Sequence, residues 1–99
     1  MKDILNRINK VFENKVKLGV MSALVVNESL DFNTLKEIIG ATDGNLATHL
    51  KALESHEYVS VTKQFVGKKP NTTYQMTKKG KKAFQDHINA LEDLLKNRG

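Results

Sequence analysis

The chain has 99 residues, 39% hydrophobic and 27% charged, with no cysteine and a net charge of +5. That length supports one domain around a single core, and the missing cysteines exclude a disulfide framework and every thiolate metal site. The charge is unevenly spread: residues 1–56 balance seven basic side chains against seven acidic ones, whereas residues 57–99 carry nine and four.

The N-terminal stretch MKDILNRINK alternates charged and apolar residues. It lacks the continuous apolar run of a secretory signal, and nothing later approaches the roughly 18 apolar residues of a membrane span. No membrane association is expected, and a cytoplasmic location is the default. From Asp3 to Phe12 the apolar residues Ile4, Leu5, Ile8, Val11 and Phe12 share one helical face. A second helix is predicted from about Lys15 to Val26, with Leu18, Met21, Leu24 and Val25 inward. Gly19 inside it costs about 1 kcal/mol relative to alanine, so close packing against a neighbour is expected there.

Asp31 or Asn33 can cap a short helix ending near Ile39, with Leu35, Ile38 and Ile39 inward, and Gly40 supplies a helix stop. Thr42 caps the next helix, Asp43 suits its first turn, and Leu46, Leu50 and Leu53 line one side. Two short helices joined by a few residues containing glycine form a helix-turn-helix. The period then changes. Tyr58–Val66 alternates as a strand with Val59, Val61 and Phe65 on one face, Gly67–Asn71 forms a turn or longer loop, and Thr72–Met76 alternates again with Tyr74 and Met76 inward. Thr77 can cap a long last helix reaching about Asn97, with a stripe of Phe84, Ile88, Leu91 and Leu95 widened by His87 and Leu94. Such a stripe commonly packs on another helix.

This order of elements predicts a mainly α fold with a β-hairpin wing: a winged helix-turn-helix with a long C-terminal helix. Asn14–Leu24 resembles the opening helix of ArsR-type and MarR-type regulators, and Phe32–Leu35 with Thr42–Leu53 is similar to their helix-turn-helix. Tyr58-Val-Ser-Val and Lys68–Gly80 resemble the wing and the start of the last helix. The likeness spans residues 14–85 and is nearest to compact winged-helix proteins with a Thr-Asp-Gly-Asn-Leu recognition turn. It implies a DNA-binding regulator, although winged helices also serve as protein–protein interaction modules.

Helical geometry names the reading residues independently. Opposite Leu46, Leu50 and Leu53 lie Gly44, Thr48, Lys51 and Ser55, flanked by Asn45, Ala52 and Ala47. Asn45 can pair bidentately with adenine, Thr48 can touch a thymine methyl, and Lys51 can reach guanine or phosphate. Gly44 can bring its backbone N–H to a phosphate. His49 and His56 fall at the edge of the buried side and are expected to pack rather than read.

The wing offers Lys63, Lys68, Lys69 and Asn71, together with Gln64. Lysines also protect edge strands, but Tyr58–Gln85 holds seven lysines and no acid, which edge protection does not require. Lys78, Lys79, Lys81 and Lys82 open a helix where the macrodipole disfavours cations, so an external phosphate is the expected partner. No nucleophile motif, phosphate-binding glycine loop or placed carboxylate pair supports catalysis, so no enzyme activity is expected. ArsR-type sensors often carry paired Asp/His ligands on the last helix; Asp86-His87 hints at one, but the second pair is absent and no metal or other cofactor is expected.

These features predict a single domain over residues 1–99, with core and wing at 14–76 and dimerisation helices at 3–12 and 77–97. The expected partner is double-stranded DNA, bound by a homodimer that acts as a transcriptional regulator, most simply a repressor. Its interface is expected to use Ile4, Leu5, Ile8, Phe84, Ile88, Leu91 and Leu95; the alternative for Phe84, Ile88, Leu91 and Leu95 is packing against the first helix within one chain. Any small-molecule effector is expected between the dimer helices and the body. The rival expectation is an interaction module that does not bind DNA.

Overall fold

The computed structural model describes residues 1–96. Its elements are α1 (Lys2–Arg7), a 3-10 turn (Lys10–Glu13), α2 (Lys15–Val25), β1 (Leu30–Asp31), α3 (Phe32–Ile39), α4 (Asp43–Ser55), β2 (Val59–Val66), β3 (Lys69–Met76) and α5 (Lys78–Lys96). The end of α5 expected near Asn97 lies outside the described residues.

The expected helix over 3–12 is broken in two. Ile8 is extended at φ −64° and ψ 125°, and the Asn9 side chain accepts the Val11 N–H at 3.0 Å. An asparagine that caps a new turn competes with continuing the old one. The break turns Phe12 into the core, where its ring centroid lies 5.3 Å from Phe84, 5.3 Å from His87 and 5.5 Å from Tyr58. Asn14 then caps α2 by accepting from the N–H groups of Val16 and Lys17, each at 3.0 Å.

The core joins Phe12, Val16, Val20, Met21, Leu24, Leu35, Leu46, Leu50, Leu53, Val59 and Phe84. Val25 and Ile38, expected inward, are more than half exposed. Helix α2 is apolar nearly all round, so its own pattern does not say which side is buried; packing against α3, α4 and β3 selects Val16, Val20 and Met21. Gly19 is less crowded than expected: a Cβ built there would meet the Ile39 side chain at 3.5 Å, an ordinary contact.

The hairpin gains a third strand, giving the sheet order β1-β3-β2. Strand β1 pairs Leu30 with Tyr74 and Asp31 with Thr73, and two residues are too few to show alternation in sequence. The hairpin runs in register from Val59↔Met76 to Val66↔Lys69, so its loop is only Gly67-Lys68. Gly67 has φ +67°, the left-handed geometry that a tight hairpin takes at its first central position. Pro70 and Asn71 are therefore strand residues. Pro70 is tolerated because β1 covers β3 only at Thr73 and Tyr74, leaving an open edge beside it.

Helix α4 ends in a Schellman motif. The Glu57 N–H donates to the Glu54 carbonyl at 2.9 Å and the Tyr58 N–H to the Leu53 carbonyl at 3.0 Å, with Glu57 itself left-handed at φ +61°. The same two residues anchor α5. The Thr77 hydroxyl donates to the Glu57 carbonyl at 2.6 Å, the Thr77 N–H donates to the Tyr58 carbonyl at 3.1 Å, and the Gly80 N–H donates to Thr77 Oγ1 at 2.9 Å. A Cβ on Gly80 would sit 2.1 Å from the Tyr58 carbonyl oxygen, so only glycine fits there. One backbone joint thus fixes α4, the hairpin and α5 relative to each other.

Candidate nucleic-acid interface

Helix α4 is held at both ends and along one side. Gly40 ends α3 at φ +72°, Thr42 Oγ1 accepts the Asn45 N–H at 3.2 Å, and Asp43 reaches back across the turn to Lys36 at 2.7 Å. Asp31, the cap of α3, accepts the Thr34 N–H at 2.8 Å, and the Thr34 hydrogen bonds hold its carboxyl below the usual carboxylate value. Leu46, Leu50 and Leu53 are wholly buried. The opposite side accordingly presents Gly44, Asn45, Thr48 and Lys51 to solvent, together on one exposed face. A Cβ on Gly44 would meet nothing within 4 Å, so the backbone there is open to a close approach.

His49 lies beside this face but partly buried, with Nδ1 enclosed and without a hydrogen-bond partner. Burial pushes its pKa down, and Lys17 adds to the effect. His56 is exposed rather than packed inward, stacked on Tyr58 with ring centroids 5.5 Å apart.

On the wing, Lys63, Lys68 and Lys69 are exposed and Asn71 is half-buried. Phe65, expected inward, is 73% exposed. It shares a strand face with Val59 and Val61, but the hairpin outruns the body, so the same face is buried at its base and bare at its tip. Lys78 and Lys79 are exposed at the start of α5, where they line a shallow recess with Tyr58 and Lys82. Lys82 is partly neutralised by Asp86 at 2.9 Å. The candidate contact residues therefore occupy three elements that the Glu57–Gly80 joint holds together.

The two terminal helices pack on each other. Helix α1 packs along α5, tied by an ion pair between Arg7 and Asp93. The Asn9 N–H donates to His87 Nδ1 at 3.0 Å, and the Asn9 amide donates to the Tyr58 hydroxyl at 3.3 Å. Burial lowers the pKa of His87, with Glu13 opposing. Phe84 is buried within its own chain, edge-on to Phe12, so it is not part of a surface stripe. Ile4, Ile8, Ile88 and Leu91 are half-buried, while Leu5 and Leu95 are exposed.

Sequence reasoning missed the parts played by Asn9, His87 and Gly80, whose partners are far away along the chain; only glycine at a helix start offered a signal. Among the described residues no cluster of three metal-ligating side chains forms, and His87 of the Asp86-His87 pair points inward. No described helix is long and apolar enough to cross a membrane. An open cleft of about 490 Å³, lined in part by Lys15, Gly19, Ile38, Ile39 and Thr42, lies next to Asn45 between α2, α3 and α4.

A family model described as a winged helix DNA-binding domain matches residues 16–95. An uncharacterized protein of Methanocaldococcus jannaschii is 36% identical over 88 residues, which are 89% of this chain and 96% of that protein. Among solved structures, a transcriptional regulator homologue from Pyrococcus horikoshii OT3 superposes with a TM-score of 0.84 at 24% identity, covering 96% of this chain and 92% of that one. BpsR of Bordetella bronchiseptica, whose DNA binding is regulated by 6-hydroxynicotinic acid, superposes with a TM-score of 0.73 at 10% identity, covering 95% of this chain and 71% of that one. Identities this low between structures establish a shared fold.

Proposed function

Because the chain belongs to the winged helix DNA-binding domain family, we propose that it is a sequence-specific transcriptional regulator that binds duplex DNA as a homodimer, most simply as a repressor. The observation that carries this reading is one exposed polar face, Gly44–Asn45–Thr48–Lys51, on a capped and fully backed helix beside a wing without acids. Helix-turn-helix proteins meet base edges with the N-terminal part of such a helix. Asn45 and Thr48 are assigned to base reading, Lys51 to guanine or phosphate, and Gly44 to phosphate through its N–H. Lys63, Lys68, Lys69, Asn71, Lys78 and Lys79 supply phosphate contacts.

The proposed two-fold interface uses the far end of α5 with α1. It includes Leu5 and Leu95, which a single chain leaves 52% and 83% exposed, with Ile4, Ile8, Ile88 and Leu91 at its edge. Two-fold symmetry predicts a near-palindromic site with half-site centres about 34–36 Å apart. The cleft beside Asn45, which lies between α2, α3 and α4 and not between the dimer helices and the body, offers a small-molecule effector a position from which it would compete with base reading.

Selection of bound duplexes from a random pool at fixed salt tests the reading. The expected product is a palindromic consensus, with Asn45→Ala and Thr48→Ala relaxing preference at single positions. Absence of duplex binding at low salt would leave the interaction-module alternative standing. Light scattering that finds only monomer at micromolar concentration would remove the two-fold interface.

A further inference from the structure

The wing ends in an apolar tip that folding does not use. Phe65 and Val66 are 73% and 62% exposed, and Phe65 is the cross-strand partner of Pro70. Phe65 and Pro70 lie on one face of the hairpin, while Val66 and Lys69 lie on the other, so both faces of the tip are partly apolar. β1 stops at Thr73, and the four residues from there to Lys69 carry the tip about 13 Å beyond it. Phe65 keeps most of its surface in solvent, so folding gains little from it.

Charge identifies what covers the tip. Lys63, Lys68 and Lys69 surround it, and no acid occurs between Tyr58 and Gln85. A second copy of the tip would bring three more lysines against these three, and an apolar protein surface would leave them unpaired. A partner must combine dense negative charge with an apolar interior that a narrow projection can enter. Duplex DNA has both in its minor groove, about 6 Å wide and walled by phosphates. Apolar side chains inserted there unstack base steps and bend the duplex.

The geometry points to Phe65, backed by Pro70 and flanked by Val66, as an apolar wedge that enters the minor groove next to the half-site while Lys68 and Lys69 hold the flanking phosphates. This rests on the proposed function and adds a specificity element to it: preference for easily unstacked pyrimidine–purine steps under the wing, at base pairs no polar side chain reads.

The test uses the full chain and duplexes recovered from the random-pool selection. Phe65→Ala is expected to weaken binding roughly tenfold without changing the salt slope, because no charge is removed. It should also reduce the duplex bend measured by end-to-end energy transfer and erase the preference for a TA step under the wing. Phe65→Leu should restore most of each effect. Lys68→Ala is the contrasting control, expected to flatten the slope by about one unit. Because Phe65 is exposed, an unchanged thermal melt certifies the fold of both Phe65 variants. If wild type binds duplexes and Phe65→Ala binds them equally well and bends them equally, the wedge is overturned while DNA binding stands. If Phe65→Ala instead converts a dimer to monomer, the tip is a protein contact and the wedge is equally overturned. If wild type binds no duplex, the proposed function itself has failed, and the wedge with it.

Discussion

The helix-turn-helix body and the wing use their side chains in opposite ways. In the body each cap has its partner: Asp31 with Thr34, Thr42 with Asn45, Thr77 with Gly80. Leu46, Leu50 and Leu53 are completely enclosed. In the wing, every residue from Thr62 to Pro70 is exposed, and three of these nine, Lys63, Lys68 and Lys69, are lysines. Where folding fixes a residue's identity, that identity says little about partners. Where folding leaves it free, a biased choice of lysine, phenylalanine and proline points outward.

Gly80→Ala should break the contrast most severely, because its Cβ would lie 2.1 Å from the Tyr58 carbonyl and the joint carrying both regions would have to move. A loss of about 3 kcal/mol is expected in urea denaturation. His87→Leu comes next. It leaves the half-buried Asn9 N–H without its acceptor, at a cost of about 1–2 kcal/mol.

The same histidine sets a pH dependence. Its pKa, and that of His49, lie below the ordinary 6.5 when folded, so the unfolded chain binds more protons in that range. Stability should be full above pH 6.5 and fall as pH drops toward the folded values. His87→Leu should remove its share of that fall and leave the share due to His49.

Gly19→Ala should act in the opposite direction and more mildly. The added methyl meets Ile39 at an ordinary 3.5 Å, so the helix-propensity gain of about 1 kcal/mol is expected to appear as a higher melting temperature. Smallest of all should be the effect of Lys68→Ala with Lys69→Ala on stability, within about 0.5 kcal/mol by thermal melt. A larger loss would mean that the wing lysines serve the fold, which would weaken the contrast.

Much of this was legible along the chain. The leucines of α4 at spacings of four and three, the caps at Asp31, Thr42 and Thr77, and the helix stop at Gly40 all lie within a few residues of what they bond, so local patterns announce them. The alternating strands and the exposed face of α4 follow from the same short-range geometry. Other features were illegible for one shared reason. Strand β1 exists because β3 is beside it, and the Asn9–His87 bond spans 78 residues. The core position of Phe84 depends on Phe12 arriving from a broken helix, and the exposure of Phe65 depends on how far the body reaches under the sheet.

By itself the sequence determined the winged-helix order of elements, their caps and the basic bias of residues 57–99, because each depends on periodicity, composition or a neighbour a turn away. Tertiary structure alone decided which of the residues patterned as inward are left bare, Val25, Ile38 and Phe65 among them. Burial is a property of what lies opposite a side chain, and alternation along a strand looks the same whether the far side is core or solvent. Phe65 carries the pattern of a core residue at a place where the core has already ended.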